Sequence, residues 1–294
     1  MDTYDNTDLG IKAENLGLLY VVATPIGHLG DLTRRAEDVL KQVQIIAAED
    51  TRRAARLLAH LDHQAPSLIS LHDHNEQART DQIIERLLAG DDVALVSDAG
   101  TPLINDPGFH LVRSAHEAGV RCVPVPGCSS VITALSVCPL PCQTFTYLGF
   151  IPAKEKAREG FLQDALRHST ALVMFEVPHR IGHTLQALEK LTQRRVMLGR
   201  ELTKQFETLY VGTAGQVSHA LGEHPKGEMV MVIEATDEAA VDHEPVRVLE
   251  ALLDEMSPSA AARVAANILG TKRQEMYSLA QTIGNTEGNK RRKR

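Results

Sequence analysis

The chain has 294 residues, of which 43% are hydrophobic and 23% charged, and its formal net charge is −7. This length suits two domains with a small third, the apolar content excludes disorder for the bulk, and the acidic balance argues against sequence-indifferent binding to nucleic acid. The apolar runs are shorter than the roughly 20 residues of a membrane helix, and four cysteines are too few for a disulfide framework, so a soluble, cytoplasmic protein with reduced thiols and no membrane contact is expected.

Residues 1–15 are acidic and polar and are expected to be a disordered N-terminus. From Leu16 to Thr236, short β-branched runs alternate with stretches of helical periodicity, the pattern of βα units around a parallel sheet. The first strands are LLYVVAT from Leu18, QIIAAED from Gln44, SLISLHD from Ser67, VALVSDAG from Val93 and VRCVPVPG from Val120. Each is nearly continuously apolar, as strands covered on both faces are. Helices are expected at Leu32 to Val43 and Asn75 to Ala89. The second half restarts with TFTYLGFIP from Thr144, a charged helix from Lys154 to His168, ALVMFEVP from Ala171 and a helix to Leu191. The runs from Val196, Phe206 and Glu228 follow closely on one another, which predicts a mixed sheet. An acidic stretch, Asp237 to Glu244, reads as a linker to three short helices, with Ser257-Pro258 opening the second and Gly270 closing it. The chain is therefore α/β, divided into an N-terminal domain at 16–127, a second α/β domain at 128–238 and a C-terminal helical segment at 239–294.

The loop after the first strand, ATPIGHLGDLT, lacks the G-x-G-x-x-G fingerprint of a dinucleotide site. Its Asp31 reads as a helix N-cap. SDAGTPLINDPG, after the fourth strand, is the most informative segment, because ligands of open α/β sheets bind beyond the carboxyl ends of strands and small residues there expose backbone groups. Asp106-Pro107 reads as an N-cap and first-turn proline. Ser129 and Ser130 in VPGCSS either cap the next helix or meet a ligand. Glu49-Asp50 is read chiefly as a cap for a helix starting at Thr51, ion-paired to Arg52 or Arg53. Metal spacing is absent: His72 with His74, and His179 with His183, lack a neighbouring acid in H-E-x-x-H form, and Cys138 with Cys142 lacks a second pair. In GRELTKQFET, Arg200, Glu201, Lys204 and Glu207 form either a polar cluster facing a cleft or a solvated turn.

From Ser257 onward eight basic residues face two acidic ones, a net +6 that leaves −13 on the remainder. Five of those basic residues are the terminal run Lys290 to Arg294. Such a segment is a candidate anion-contacting appendage.

Taken in order, ATPIGHLGDLTRRA, AAEDTR, SDAGTPLINDPG, VPGCSS, FTYLGFIP, MFEVPHR, GRELTK and GEMVMVIE resemble the tetrapyrrole-methylase superfamily of S-adenosylmethionine-dependent methyltransferases. Gly100-Thr101-Pro102 stands where corrin and porphyrin enzymes carry Gly-Asp-Pro, which is similar to the branch that 2′-O-methylates a decoding-centre cytidine of 16S rRNA. The resemblance implies two α/β domains with S-adenosylmethionine in the cleft between them, a homodimer, and the 30S subunit as partner. It implies cofactor contacts from Pro25, Asp98, Ala99, Gly100, Thr101, Ile104, Ser129 and Ser130, and from Phe175, Glu176 and Leu202 of the second domain. Glu201 or Lys204 is then the candidate base and Arg200 a candidate phosphate clamp. The competing expectations are a methylase of a small tetrapyrrole and a non-enzymatic helix-turn-helix regulator.

Overall fold

The computed structural model describes residues 16–63, 66–72, 74–236 and 243–291. Residues 1–15, most of the expected linker and the side chains of the basic run Lys290 to Arg294 lie outside the described residues. The first half strings β1 (Leu19–Val22), α1 (Arg34–Gln42), β2 (Ile45–Ala48), α2 (Thr51–His60), β3 (Ser67–Ser70), α3 (Glu76–Leu88), β4 (Val93–Val96), α4 (Phe109–Glu117) and β5 (Cys122–Val125) into βα units. Its sheet is wholly parallel in the order β3-β2-β4-β1-β5. The chain thus moves one way from β1 through β2 to β3, then returns through β4 to β5. The direction reverses between β1 and β4, neighbours in the sheet, and beyond the carboxyl ends of strands at such a switch point lies the crevice where open α/β sheets bind ligands.

Apolar cores lie on both sheet faces. Val22, Leu40, Ile46, Leu58 and Val96 fill one, and Leu19, Ile45, Ile83, Leu95 and Leu111 the other, which is why these strands read as unbroken apolar runs. Two capping assignments need correction. Asp31 lies in a 3₁₀ turn at Leu29–Asp31, and α1 is capped by Thr33, whose hydroxyl accepts from Ala36 N at 3.1 Å. Asp106 does not cap α4. Gly108 holds the N-cap position, and the buried carboxylate of Glu76 on α3 accepts from Gly108 N and His110 N at 3.0 and 2.8 Å. This second carboxylate does from a neighbouring helix what a local cap does, and it sits where the helix dipole favours a negative charge. Glu76→Ala is expected to lower unfolding free energy by about 1–3 kcal/mol, because a buried and a part-buried N–H group lose their acceptor. Urea titration measures the loss.

The second half comprises α5 (Ser130–Ser136), β6 (Phe145–Phe150), α6 (Glu155–Ala165), β7 (Ala171–Glu176), α7 (Pro178–Leu191), β8 (Val196–Arg200), β9 (Thr208–Gly212), α8 (Ala214–Leu221) and β10 (Met229–Ile233). Its sheet, ordered β6-β7-β10-β8-β9, is mixed, with only β6 and β7 parallel. One core on its outer face joins Leu162, Met174, Leu185, Leu198 and Met231. The other face forms a seam in which Ile26 of the first half packs with Val131, Ala134, Val173, Leu202 and Val230, and with half-buried Ala99 and Cys128. The final elements are α9 (His243–Leu253), α10 (Pro258–Leu269) and α11 (Arg273–Arg291). Their small core is an alanine face of α10 (Ala261, Ala262, Ala265, Ala266) against Leu249, Met276 and Ala280, and Gly270 closes α10 in the left-handed conformation. Arg263, Lys272 and Arg273 are exposed. Among the described residues no helix is long and apolar enough to cross a membrane.

Candidate functional site

At the crevice the loop after β1 and the loop after β4 are clamped by a two-way backbone bridge, Thr24 N to Gly100 O at 2.8 Å and Gly100 N to Thr24 O at 3.0 Å. Gly100 adopts φ +85, which other residues rarely reach, and a Cβ there would stand 3.3 Å from Ile26 Cγ2. Thr101 donates its hydroxyl to Cys128 O at 2.9 Å, joining this loop to the one after β5. Pro25, Ala99, Gly100 and Thr101 therefore sit together beside Ser129 and Ser130. Ser129 caps α5, receiving Ile132 N at 3.5 Å, and both serines are half-buried. Ile104 is exposed on the same loop. Asp98 lies at the loop's base, its carboxylate occupied by Asp50 N at 3.0 Å and Arg53 at 3.3 Å. Asp50 in turn caps α2 and is held well below the usual carboxylate range by its hydrogen bonds from Arg52.

The second half faces this crevice with the turn after β8. A Cβ on Gly27 would fall 2.5 Å from Lys204 Cγ, 2.6 Å from Thr203 Oγ1 and 3.1 Å from Leu202 O, so the two loops touch where only a hydrogen fits. His28 N donates to Thr203 Oγ1 at 3.2 Å. Across the opening, Tyr147 of β6 donates its hydroxyl to Asn105 Oδ1 at 2.5 Å. Burial and the charge of Asp106 push this phenol up to about 12, so it stays a donor. Both opposing turns are wound left-handed at alternate non-glycine residues, Leu103 and Asn105 on one side, Glu201 and Thr203 on the other. Such strain persists where surrounding contacts enforce it, commonly at ligand clamps.

Glu201, Lys204 and Arg200 come together. Lys204 Nζ lies 3.0 Å from Glu201 Oε1 and 3.0 Å from Glu228 Oε2, while Glu201 Oε1 also accepts from Glu228 N at 2.8 Å. Arg200 Nε donates to Lys226 O at 2.5 Å. Burial acts to raise the Glu201 carboxyl, but the Glu228 N–H and the ammonium outweigh it and hold it low. Burial acts to lower Lys204, but Glu228 and Glu201 hold it high. The lysine is thus a fixed cation, unsuited to take a proton at neutral pH.

Glu201, depressed in the fold, adds stability above its ordinary 4.5 that is lost as pH falls through its lowered value. Lys204, raised in the fold, adds stability below its ordinary 10.5 that is lost as pH rises through its raised value. The cluster stays fully ionised between the two, so turnover that depends on it is expected to be flat across neutrality. A limb centred near neutral pH in a pH–kcat profile would show that another group controls the step.

The second-half cofactor candidates divide. Leu202 is buried in the seam, and Phe175 packs there between the rings of Tyr147 and Phe150. Glu176 is buried with its carboxylate fully engaged, by Val177 N at 2.8 Å, by Arg180 at 3.0 Å and by Thr184 Oγ1 at 2.6 Å. Its side chain fastens the start of α7. Thr203, Tyr147, Asn105 and Glu228 escaped the sequence reading, since their partners are distant in the chain.

Comparison with known proteins agrees with this architecture. Residues 18–218 match the family model Tetrapyrrole (Corrin/Porphyrin) Methylases, and residues 239–284 match one described as the RsmI C-terminal HTH domain. A protein of Xylella fastidiosa (strain Temecula1) called ribosomal RNA small subunit methyltransferase I is 46% identical over 268 residues, covering 89% of this chain and 98% of its own. Its namesake in Escherichia coli O157:H7 is 44% identical over 271 residues, covering 90% and 94%. Among solved structures, the methyltransferase CobJ superposes with a TM-score of 0.58 at 17% identity, over 74% of this chain and 94% of its own. Uroporphyrin-III C-methyltransferase from Thermus thermophilus, complexed with S-adenosyl homocysteine, gives 0.51 at 18% identity, over 74% and 97%.

Proposed function

Because the chain belongs to the tetrapyrrole methylase family of methyltransferases, we propose that it uses S-adenosylmethionine to methylate the 2′-hydroxyl of a decoding-centre cytidine in 16S rRNA. The 30S subunit is its substrate in this reading, and it works as a cytoplasmic homodimer. The names of its relatives support the RNA substrate. The observation that carries the reading is the meeting of the backbone-clamped loops at Thr24 and Gly100 with the Glu201–Lys204 cluster across one opening.

The residues fit the cofactor. Backbone groups of Pro25, Ala99, Gly100 and Thr101 surround a cradle that a Cβ at Gly100 would narrow, and Ile104, Phe175 and Leu202 offer apolar surface to an adenosine. Bound there, S-adenosylmethionine supplies an electrophilic methyl group on a sulfonium. The transfer is an in-line displacement, in which alignment supplies most of the acceleration. Glu201, held ionised, accepts the hydrogen bond of the ribose hydroxyl and orients its lone pair. Lys204 fixes that carboxylate and directs a donor to the ribose-phosphate. Arg200 clamps a neighbouring phosphate. No strong base is required, because the hydroxyl proton becomes acidic only as the oxygen–methyl bond forms and the methyl–sulfur bond breaks, and the Glu201 carboxylate then receives it.

Radiolabelled methyl donor presented with 30S subunits, naked 16S rRNA and a porphyrinogen tests the reading. Label is expected in one cytidine of the 30S subunit, in a linkage that protects the adjoining phosphodiester from alkali. Transfer to the porphyrinogen alone would overturn it.

A further inference from the structure

The outer face of α7 carries His179, Gly182, His183 and Gln186, spaced i, i+3, i+4 and i+7, while Ile181, Thr184, Leu185 and Leu188 face the core. This exposed stripe walls a groove of about 530 Å³ whose other side is α8 and the loop carrying His224, Pro225 and Lys226. The volume lies within the range of small-molecule sites. Histidine pairs at this spacing suit zinc, yet no group of three His, Cys, Asp or Glu able to hold a metal exists among the described residues. What the groove offers is three imidazoles, the flat faces of Pro178 and Pro225, the polar groups of Gln186 and Ser218, and one ammonium, Lys226, with one carboxylate, Glu223, on the same loop.

We propose that this groove is a binding subsite for one unstacked nucleotide of the substrate RNA, with the base against the imidazoles and its phosphate on Lys226. The assignment rests on the RNA reading above and extends it to a second contact surface. A nucleotide presents a flat face, an edge of donors and acceptors and an anion, and single-stranded RNA is recognised by stacking on rings, histidine included, with a cation on the backbone. No phenylalanine, tyrosine or tryptophan lines the groove, so the imidazoles are its rings.

The position supports the same occupant. Lys226 lines the groove while its carbonyl receives Arg200 Nε, and Glu228, two residues on, holds Lys204. Between them Gly227 bends the chain at φ +95, so the groove and the Arg200–Lys204 cluster share one loop.

Gly182 allows a clean test. A Cβ added there meets no atom within 4 Å, and leucine favours a helix interior over glycine, so Gly182→Leu fills the groove without disturbing the fold. A fluorescent single-stranded RNA of about ten nucleotides, within the usual site sizes for such binding, serves as probe. Binding is expected to weaken about tenfold in Gly182→Leu and in the His183→Ala/His224→Ala double variant. Lys226→Ala should reduce the salt slope by about 0.7. In 30S methylation, KM for the subunit rises and kcat and S-adenosylmethionine affinity hold. Equal RNA affinity in wild type and variants, or a changed oligomeric state in their place, overturns the subsite. Groove-dependent RNA binding by a wild type that fails to methylate 30S overturns the substrate reading and leaves the subsite standing.

Discussion

Replacing Lys204 by methionine is expected to lower kcat for methyl transfer about 100-fold or more, with S-adenosylmethionine affinity unchanged within twofold. The ammonium bridges Glu201 and Glu228 at 3.0 Å each, with its stem lying along Gly27. Methionine keeps the stem and deletes the charge. Glu201 then keeps only Glu228 N and the charge of Arg200 to hold it ionised, its pKa climbs, and the acceptor for the ribose hydroxyl drifts. Removal of one preorganised polar contact from a site where charge develops costs about 10²–10³ in rate, and misalignment by as little as 1 Å adds to it. Glu228→Gln should be milder, since that side chain is 73% exposed and water substitutes for it. Single-turnover kinetics on 30S subunits separate the effects. A rate for Lys204→Met within threefold of wild type would reduce the cluster to a structural clasp.

Glu176→Ala is expected to cost about 3–5 kcal/mol of stability, the range for breaking a buried pair by removing one partner. Its carboxylate is wholly buried, and alanine would strand the Arg180 guanidinium, itself only 18% exposed, together with Thr184 Oγ1 and Val177 N. That is a large share of the 5–15 kcal/mol a domain usually has. Glu176→Gln preserves shape and a carbonyl acceptor and should lose less. A urea midpoint for the alanine variant displaced by the equivalent of less than 1 kcal/mol would mean that the surroundings relax or admit water. Cofactor affinity of the remaining folded protein should stay near wild type, which separates this fastening role from a contact with adenosine.

These two residues also mark how far the sequence could be read. Strands were legible because both sheets are covered on both faces, so runs such as VALV at Val93 and MVMVI at Met229 are apolar without interruption. Helices were legible from their stripes. The crevice was legible because small residues cluster in SDAGTP, and the order of the motifs carried the family. What failed was local chemistry with a distant partner. Asp106 beside a proline has the form of a cap, but Glu76, 34 positions before His110, does the capping. Glu176 was expected to contact the adenosine, and its partners Arg180 and Thr184, one and two turns on, were not read with it. Lys204 and Glu201 are three apart and readable as a pair. The third member, Glu228, is 24 residues away, and without it the lysine looks free to act as a base.

The seam built by Ile26, Val131, Leu202 and Val230 has a thermodynamic corollary. Neither sheet can open without exposing apolar surface that belongs to the other, so the two halves share one unfolding transition, and hydrogen exchange in β1 and β8 should report the same opening free energy. The alanine-lined core of α9 to α11 draws its members from 248–283. Those helices are therefore expected to open as a separate cooperative unit, with exchange free energies lower than those of β1 and β8.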